Sequence, residues 1–253
     1  MNKYLTENYS TTKLIPSNFG KIKHLYGSKM IDSYDIALNK IEESKFTSCL
    51  QNPNDKNIIT EKIDGMNAGV IKIKGVLYPI NRSGYDVRTM GNRFIKVKQL
   101  ADEWINWVDQ HYLILNELLN DGERFVFENC IMQHTLRYKF KKGPVFLLAK
   151  MTDKNERIPY DDLTEIAIKN NLEQPPLLNY GCAMKPEDVI NQFPKGKIGS
   201  RDGLEGVVYL YEHEAKDKCH ISISKYVSNE LLTEPSPNVE KYNYWDRSYY
   251  EHL

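Results

Sequence analysis

The sequence carries no net charge, no closely paired cysteines and no long apolar run, and each absence closes off a class of protein. Thirty-four Lys and Arg balance 34 Asp and Glu, so the formal charge at neutral pH is zero. Strongly basic nucleic-acid binders draw much of their affinity from phosphate contacts and counterion release. Any polynucleotide contact here therefore falls to a local basic groove, or is weak. The four cysteines, Cys49, Cys130, Cys182 and Cys219, are scattered without a Cys-x-x-Cys pair. That pattern indicates neither a zinc site nor a disulfide frame, and it points to a reducing cytoplasm. No apolar stretch approaches membrane-spanning length, and the polar N-terminus lacks a secretory apolar segment.

What is present is a chain of 253 residues, enough for one generous domain or two small ones with a real core. There is no internal repeat and no low-complexity segment. Residues 1–20 read as irregular, and 31–44 as a helix with Ile31, Tyr34, Ile36, Ala37 and Ile41 on its apolar face. Strands are expected at Ile58-Ile59, 68–73 and 76–80, the last two joined by a tight turn at Lys74-Gly75. Residues 95–119 give the clearest helical periodicity, through Val97, Leu100, Trp104, Val108, Leu115 and Leu118, with Trp104 and Trp107 as core packing. Further strands are expected at 125–129 and 145–148, and helices at 161–170, capped by an aspartate, and at 186–193, opened by Pro186. Residues 204–211 and 219–227 read as a two-stranded unit. This irregular alternation indicates an α+β fold.

Chemistry enters at Lys62, in Thr60-Glu61-Lys62-Ile63-Asp64-Gly65, directly after a strand-like stretch. A lysine amine attacks phosphorus or carbonyl centres when it is held deprotonated, and the glycine lets a nucleotide approach the backbone. Twenty residues later lies Asn81-Arg82-Ser83-Gly84. Glu128 sits in the apolar strand Phe125-Val126-Phe127-Glu128-Asn129, and Glu205 in Asp202-Gly203-Leu204-Glu205-Gly206-Val207. Lys225 follows twenty residues after Glu205, in Ile223-Ser224-Lys225-Tyr226-Val227. In this order and spacing the chain resembles the covalent nucleotidyltransferases, the polynucleotide ligases and messenger RNA capping enzymes. Lys21-Ile22-Lys23-His24-Leu25-Tyr26-Gly27-Ser28, and the His134 segment that follows Glu128, are similar to segments of RNA ligase 2-like proteins.

The resemblance implies an antiparallel-sheet nucleotidyltransferase fold, the ATP-grasp-like adenylation domain of ligases, with a nucleotide cleft. It covers roughly residues 20–230, and a single domain over 1–253 with short extensions is expected. The implied activity is ATP-dependent joining of RNA 5′-phosphate and 3′-hydroxyl ends, as in RNA repair, through lysyl-AMP and adenylylated RNA. Lys62 is then the nucleophile, and Lys225 contacts the α-phosphate. Glu205 holds Mg²⁺ or Mn²⁺, while Glu128 accepts from ribose or assists with metal. Arg82 reaches ribose or the 5′-phosphate, and Glu61 and the backbone near Ile63 read adenine. The amine of Lys62 is expected to have its pKa depressed by metal or a second lysine.

Two departures stand out. The fifth motif of the family carries Lys-x-Lys, where this chain offers Lys225 with Ile223 or Val227. An aromatic-Asp pair that stacks on adenine is replaced by Ala149-Lys150, with Phe146 as the substitute ring. Only 28 residues follow Lys225, too few for an OB-fold, so a protein partner supplying a clamp is expected, and the tail rings Tyr242, Tyr244, Trp245, Tyr249 and Tyr250 are expected to dock on the domain. The alternatives are a catalytically weakened nucleotide- or nucleic-acid-binding relative, and a DNA ligase or capping-type enzyme. Both RNA ligase-like segments and the short tail count against the last.

Overall fold

Antiparallel strands set the architecture. The computed structural model describes residues 12–17, 21–30, 33–48, 53–89, 95–198, 200, 203–215 and 218–228, with the side chains of 95–98 excepted. The order is β1 (Lys23–His24), α1 (Lys40–Thr47), β2 (Lys56–Glu61), β3 (Met66–Ile73), β4 (Val76–Asn81), α2 (Ile95–Gln110), α3 (Tyr112–Leu118) and β5 (Arg124–Asn129). Then come β6 (Val145–Met151), α4 (Tyr160–Lys169), β7 (Leu177–Gly181), α5 (Pro186–Gln192), β8 (Gly206–Ala215) and β9 (Lys218–Val227). One sheet runs β1-β9-β8-β2-β7 and the other β4-β3-β5-β6. The α+β, antiparallel class read from the sequence is the class found.

The chain divides into two compact units, each made of separated segments. The first comprises 1–19, 67–126 and 151–156, and the second 20–66, 127–150 and 157–253. In the first, β3 and β4 form a hairpin whose Lys74 and Gly75 both take positive φ, 51° and 76°. That pair of left-handed residues is the two-residue turn whose twist matches the strands it joins. Trp104 and Trp107 are buried and stacked, with ring centroids 5.2 Å apart, as core packing requires.

In the second unit, alternation along the strands sorts side chains to the two sheet faces. Ile59, Val207, Tyr209 and Tyr226 share a core with Leu25, Phe46 of α1, Leu178 and Val189 of α5. On the opposite face Ile58 and Leu210 pack with Tyr160 of α4. A third cluster joins Ile63, Cys130, Leu136, Tyr138, Phe140, Phe146 and Val227.

Several elements differ from expectation. The helix placed at 31–44 is α1 at 40–47. The described residues before it are extended, with His24 N–H donating to Ile36 O and Leu38 N–H to His24 O. Asn39 starts the helix: its side chain accepts from Glu42 N–H, and the Glu42 carboxylate accepts from Asn39 N–H, a reciprocal cap. The apolar spacing upstream had suggested helix, yet Tyr34, Ile36 and Ile41 are exposed. The long helix at 95–119 breaks at His111, whose ring stacks on Trp107 at 4.1 Å and donates from Nδ1 to Trp107 O at 2.8 Å. The aspartate expected to cap α4 is Asp161, inside the first turn and bound to Lys56 and Tyr180, while Pro159 holds the cap position. Among the described residues no helix is long and apolar enough to cross a membrane. The tail rings lie outside the described residues.

Asn39→Ala removes the cap and is expected to destabilise the protein by about 1 kcal/mol. Thermal unfolding of the two proteins checks this, with the variant expected to melt about 2–4 °C lower.

Candidate active site

Register places the expected residues. β2 and β8 pair antiparallel with Thr60 opposite Val208 and Glu61 opposite Val207, and β8 and β9 pair with Val208 opposite Lys225. The ladder runs one step further, because Lys62 N–H donates to Gly206 O at 2.9 Å. Directly opposed residues share a face, and so do residues two apart on one strand. Lys62, Thr60, Val208 and Lys225 therefore occupy one face, and Glu61 the other. Glu205 immediately precedes β8, where its carbonyl accepts from Ser228 N–H at 2.8 Å. A side chain at Gly206 has no room, since a Cβ would lie 2.0 Å from Tyr226 O.

These restraints bring Glu205 onto Lys62, with Nζ 2.5 Å from Oε1 and the Glu205 side chain only 7% exposed. Glu128 of β5 accepts from Gly65 N–H at 3.1 Å. Burial works to lower the pKa of Lys62, but the charges of Glu205, Glu128 and Asp64 outweigh it and hold the pKa above the usual lysine value. The amine is thus held as an ammonium by the protein's own charges, opposite to the depressed state expected of a ready nucleophile. Glu205 is pushed up by burial, against the pull of Lys62. Burial also raises Glu128 to about 7, Glu205 adding to the shift and Lys62 opposing it.

Asp64, of the same tetrapeptide, is the residue whose role the sequence left unread. Its carboxylate accepts from Thr135 N–H and Leu136 N–H, each at 2.6 Å, and from His134 Nδ1 at 2.8 Å. Its own N–H donates to the Tyr138 hydroxyl at 3.0 Å. The Glu128-to-Tyr138 segment is thereby tied to the loop that carries Lys62. Gly65 fits tightly beneath it: a Cβ would meet Cys130 Sγ at 2.6 Å and Asn129 O at 2.7 Å.

The remaining candidates fall differently. The Glu61 carboxylate faces away from Lys62 and accepts from Lys197 N–H at 2.7 Å and Ile198 N–H at 3.2 Å, so it is engaged with that loop. Ile63 and Phe146 are core residues. Phe146, expected to replace the stacking ring, is only 4% exposed and packs against Phe140, and the buried Ala149 offers no ring. Arg82 belongs to the other unit, exposed on the turn after β4, where its carbonyl accepts from Ser17 Oγ.

For a divalent ion the donor set is two carboxylates. Among the described residues Glu205 Oε2 is buried and finds no hydrogen-bond partner, an oxygen of the type a cation satisfies. Among the described residues no group of three or more His, Cys, Asp or Glu is placed to hold a metal. Two carboxylates suit Mg²⁺, which keeps several waters and takes substrate oxygens for the rest.

The raised Glu128 carboxyl has a consequence for stability. A pKa moved up from 4.5 to about 7 on folding means the fold favours the neutral form. The associated stability is complete below the unfolded value and lost as pH rises through about 7. Glu128→Gln has no such loss, so its stability relative to wild type is expected to grow between pH 5 and pH 8, by at most about 3 kcal/mol. Denaturant unfolding at several pH values, with chelator present, measures it. A constant difference would contradict the buried ionisation.

Among solved structures the chain is similar to an archaeal ATP-dependent RNA ligase, at 15% identity and a TM-score of 0.47, covering 84% of this chain and 48% of that one. It is also similar to a variant of the Naegleria gruberi RNA ligase, at 13% identity and a TM-score of 0.48, covering 88% and 61%. The chain spans about half the length of the archaeal enzyme. No curated protein sequence matches it. The family model for RNA ligase matches residues 55–227, about two thirds of the chain and every motif from Lys62 to Lys225, and the chain belongs to the RNA ligase family.

Proposed function

We propose that the protein joins RNA ends in an ATP-dependent reaction that passes through AMP bound to Lys62. The observation that carries this reading is the part-buried Lys62–Glu205 pair, with Lys62 set by strand register on the same sheet face as Lys225. In the first step Lys62 Nζ forms a bond to the α-phosphorus of ATP as the bond to pyrophosphate breaks. The AMP then passes to an RNA 5′-phosphate, and a 3′-hydroxyl displaces it. Such phosphoryl transfers are catalysed by alignment and by neutralising oxygens that gather charge. Lys225 is the compact cation for the α-phosphate.

Glu205 and Glu128 are the residues that would hold Mg²⁺ or Mn²⁺. When bound there, the ion supplies positive charge to the phosphates and offsets the carboxylate field that keeps Lys62 protonated. The proton that Nζ must shed has Glu205 Oε1 as an acceptor within reach. The Asp64 clamp holds the nucleophile loop still while this happens. With the Glu61 side chain committed elsewhere, adenine is left to backbone groups around Lys62 and Ile63. The scattered cysteines, without a Cys-x-x-Cys pair, support a reducing, cytoplasmic setting.

A second reading, a nucleotide- or nucleic-acid-binding relative without catalysis, is favoured by the buried Phe146 and the lone Lys225. Covalent labelling with α-labelled ATP separates the two. Wild-type protein is expected to take up label with Mg²⁺ or Mn²⁺, and Lys62→Ala and Lys62→Arg to take up none, because arginine stays protonated. Glu205→Ala should label about a hundredfold more slowly. Wild-type protein that stays unlabelled across pH and divalent ions leaves the binding reading standing.

The RNA assignment has its own test. With pre-adenylylated strands that differ only in the sugar of the 3′-hydroxyl strand, joining to RNA is expected to be faster, since the 2′-hydroxyl gives a protein a handle that DNA lacks. The zero net charge further predicts weak, salt-sensitive binding. Equal or faster joining of all-DNA ends would assign the chemistry to DNA instead.

A further inference from the structure

Lys225 is bracketed by a segment nearly two hundred positions earlier in the chain. β1 lies parallel beside β9, with His24 opposite Lys225, and Leu25 N–H donates to Lys225 O at 2.9 Å. Two residues on, Val227 N–H donates to Ser28 Oγ at 2.9 Å, and Val227 O accepts from Lys29 N–H. Ser28 Oγ is also 2.7 Å from Nδ1 of His24, a side chain with no solvent exposure. On the far side of that ring, Nε2 lies 3.3 Å from Asp35 Oδ1. The same Asp35 oxygen is 3.9 Å from Lys225 Nζ.

The chain of groups fixes its own polarity. The 3.3 Å approach of Nε2 to Asp35 is an electrostatic contact and not an aligned hydrogen bond, since Nε2 has no hydrogen-bond partner among the described residues, and the carboxylate beside it favours the tautomer with the proton on Nε2. Nδ1 then accepts from the Ser28 hydroxyl, whose oxygen is already accepting from Val227. Burial, reinforced by the nearby Lys225 charge, holds the pKa of His24 below its ordinary value, so the ring stays neutral. A neutral, buried imidazole wedged between a serine and an aspartate is a spacer of fixed length. It sets how far Asp35 stands from the strand that bears Lys225.

We propose that Asp35, braced by His24 and Ser28, is a positioning residue that holds the Lys225 ammonium in place for the α-phosphate. The proposal rests on the adenylylation reading of Lys62 and Lys225. It assigns work to the Lys-Ile-Lys-His-Leu-Tyr-Gly-Ser segment, which the site chemistry otherwise leaves idle. It also bears on the single lysine of the Ile223–Val227 motif. Val227, two residues on, is committed to the core, and Ile223 is apolar. With no lysine at either of these two positions, nothing within this motif stands in for a misplaced Lys225.

Two measurements test it, on wild type, Asp35→Asn and Ser28→Ala. The first is single-turnover labelling of Lys62 as a function of ATP concentration. Asp35→Asn is expected to lower the maximal rate about tenfold while the ATP concentration at half-maximum moves less than about threefold, the pattern of a group misaligned in the transition state. The second is acylation of individual lysines by a small anhydride, read by mass spectrometry without ATP. In Asp35→Asn, Lys225 is expected to be acylated several times faster, with Lys62 unchanged. Ser28→Ala should move both readouts the same way by less.

An unchanged labelling rate, or unchanged Lys225 acylation, overturns the proposal. So does a parallel rise at Lys62, which would mean general loosening of the sheet. Failure of both variants to fold overturns it as well, since the cluster would then be a folding element. Wild-type protein that never labels removes the adenylylation reading, while the acylation result still decides whether Asp35 holds Lys225.

Discussion

The hydrogen bond from Lys62 N–H to Gly206 O carries the β2–β8 ladder one residue beyond its last strand pair. From that one extension the rest of the site follows. It keeps Lys62 in the alternation of β2, so that its side chain shares a face with Thr60, Val208 and Lys225. It also draws the residue before β8 to the nucleophile, which is how Glu205 reaches Nζ. The fit depends on Gly206, whose Hα side faces Tyr226 O too closely for any other residue. Two strands and one glycine thus bring together charges far apart in the sequence.

The electrostatics of the site favour a charged lysine. Three carboxylates bear on the half-buried Lys62 ammonium, and their combined field exceeds the cost of partly burying its charge. Among the described residues, a Glu205 oxygen without a hydrogen-bond partner and a half-buried Glu128 with its raised pKa are unfavourable on their own. A divalent cation with phosphate oxygens is the chemistry that would relieve them. Local arrangements that cost stability in this way are typical of functional sites.

Much of this was legible in the sequence because each motif sits at a strand end, where spacing translates directly into register. Lys62, Glu128, Glu205 and Lys225 stand out by their resemblance to motifs in a fixed order, and the fold brings Glu205 to Lys62. Glu61 shows the limit, and also that the limit was avoidable: adjacent residues on a strand face opposite ways, so its carboxylate had to leave the side occupied by Lys62. Phe146 was misjudged because a ring on an apolar strand is first of all core, and only tertiary packing decides whether one face stays open. The helix expected at 31–44 followed apolar spacing, whereas the Asn39–Glu42 capping box marked the true start. Asp64 and Asp35 were not legible, since their partners at 134–136 and at 24 and 225 are defined only by the closed fold.

The separation between Lys62 and Glu205 has a temporal meaning. The two are 143 positions apart, and β2 is held between β7 and β8, both from the last third of the chain. During synthesis β2 emerges well before β7 and β8, and more than a hundred residues separate it from the strands that flank it. Long-range pairing of this kind is slow to form and leaves strand edges exposed. A nascent chain therefore carries Lys62 before it carries Glu205, and the two meet only once β7 and β8 have closed on β2.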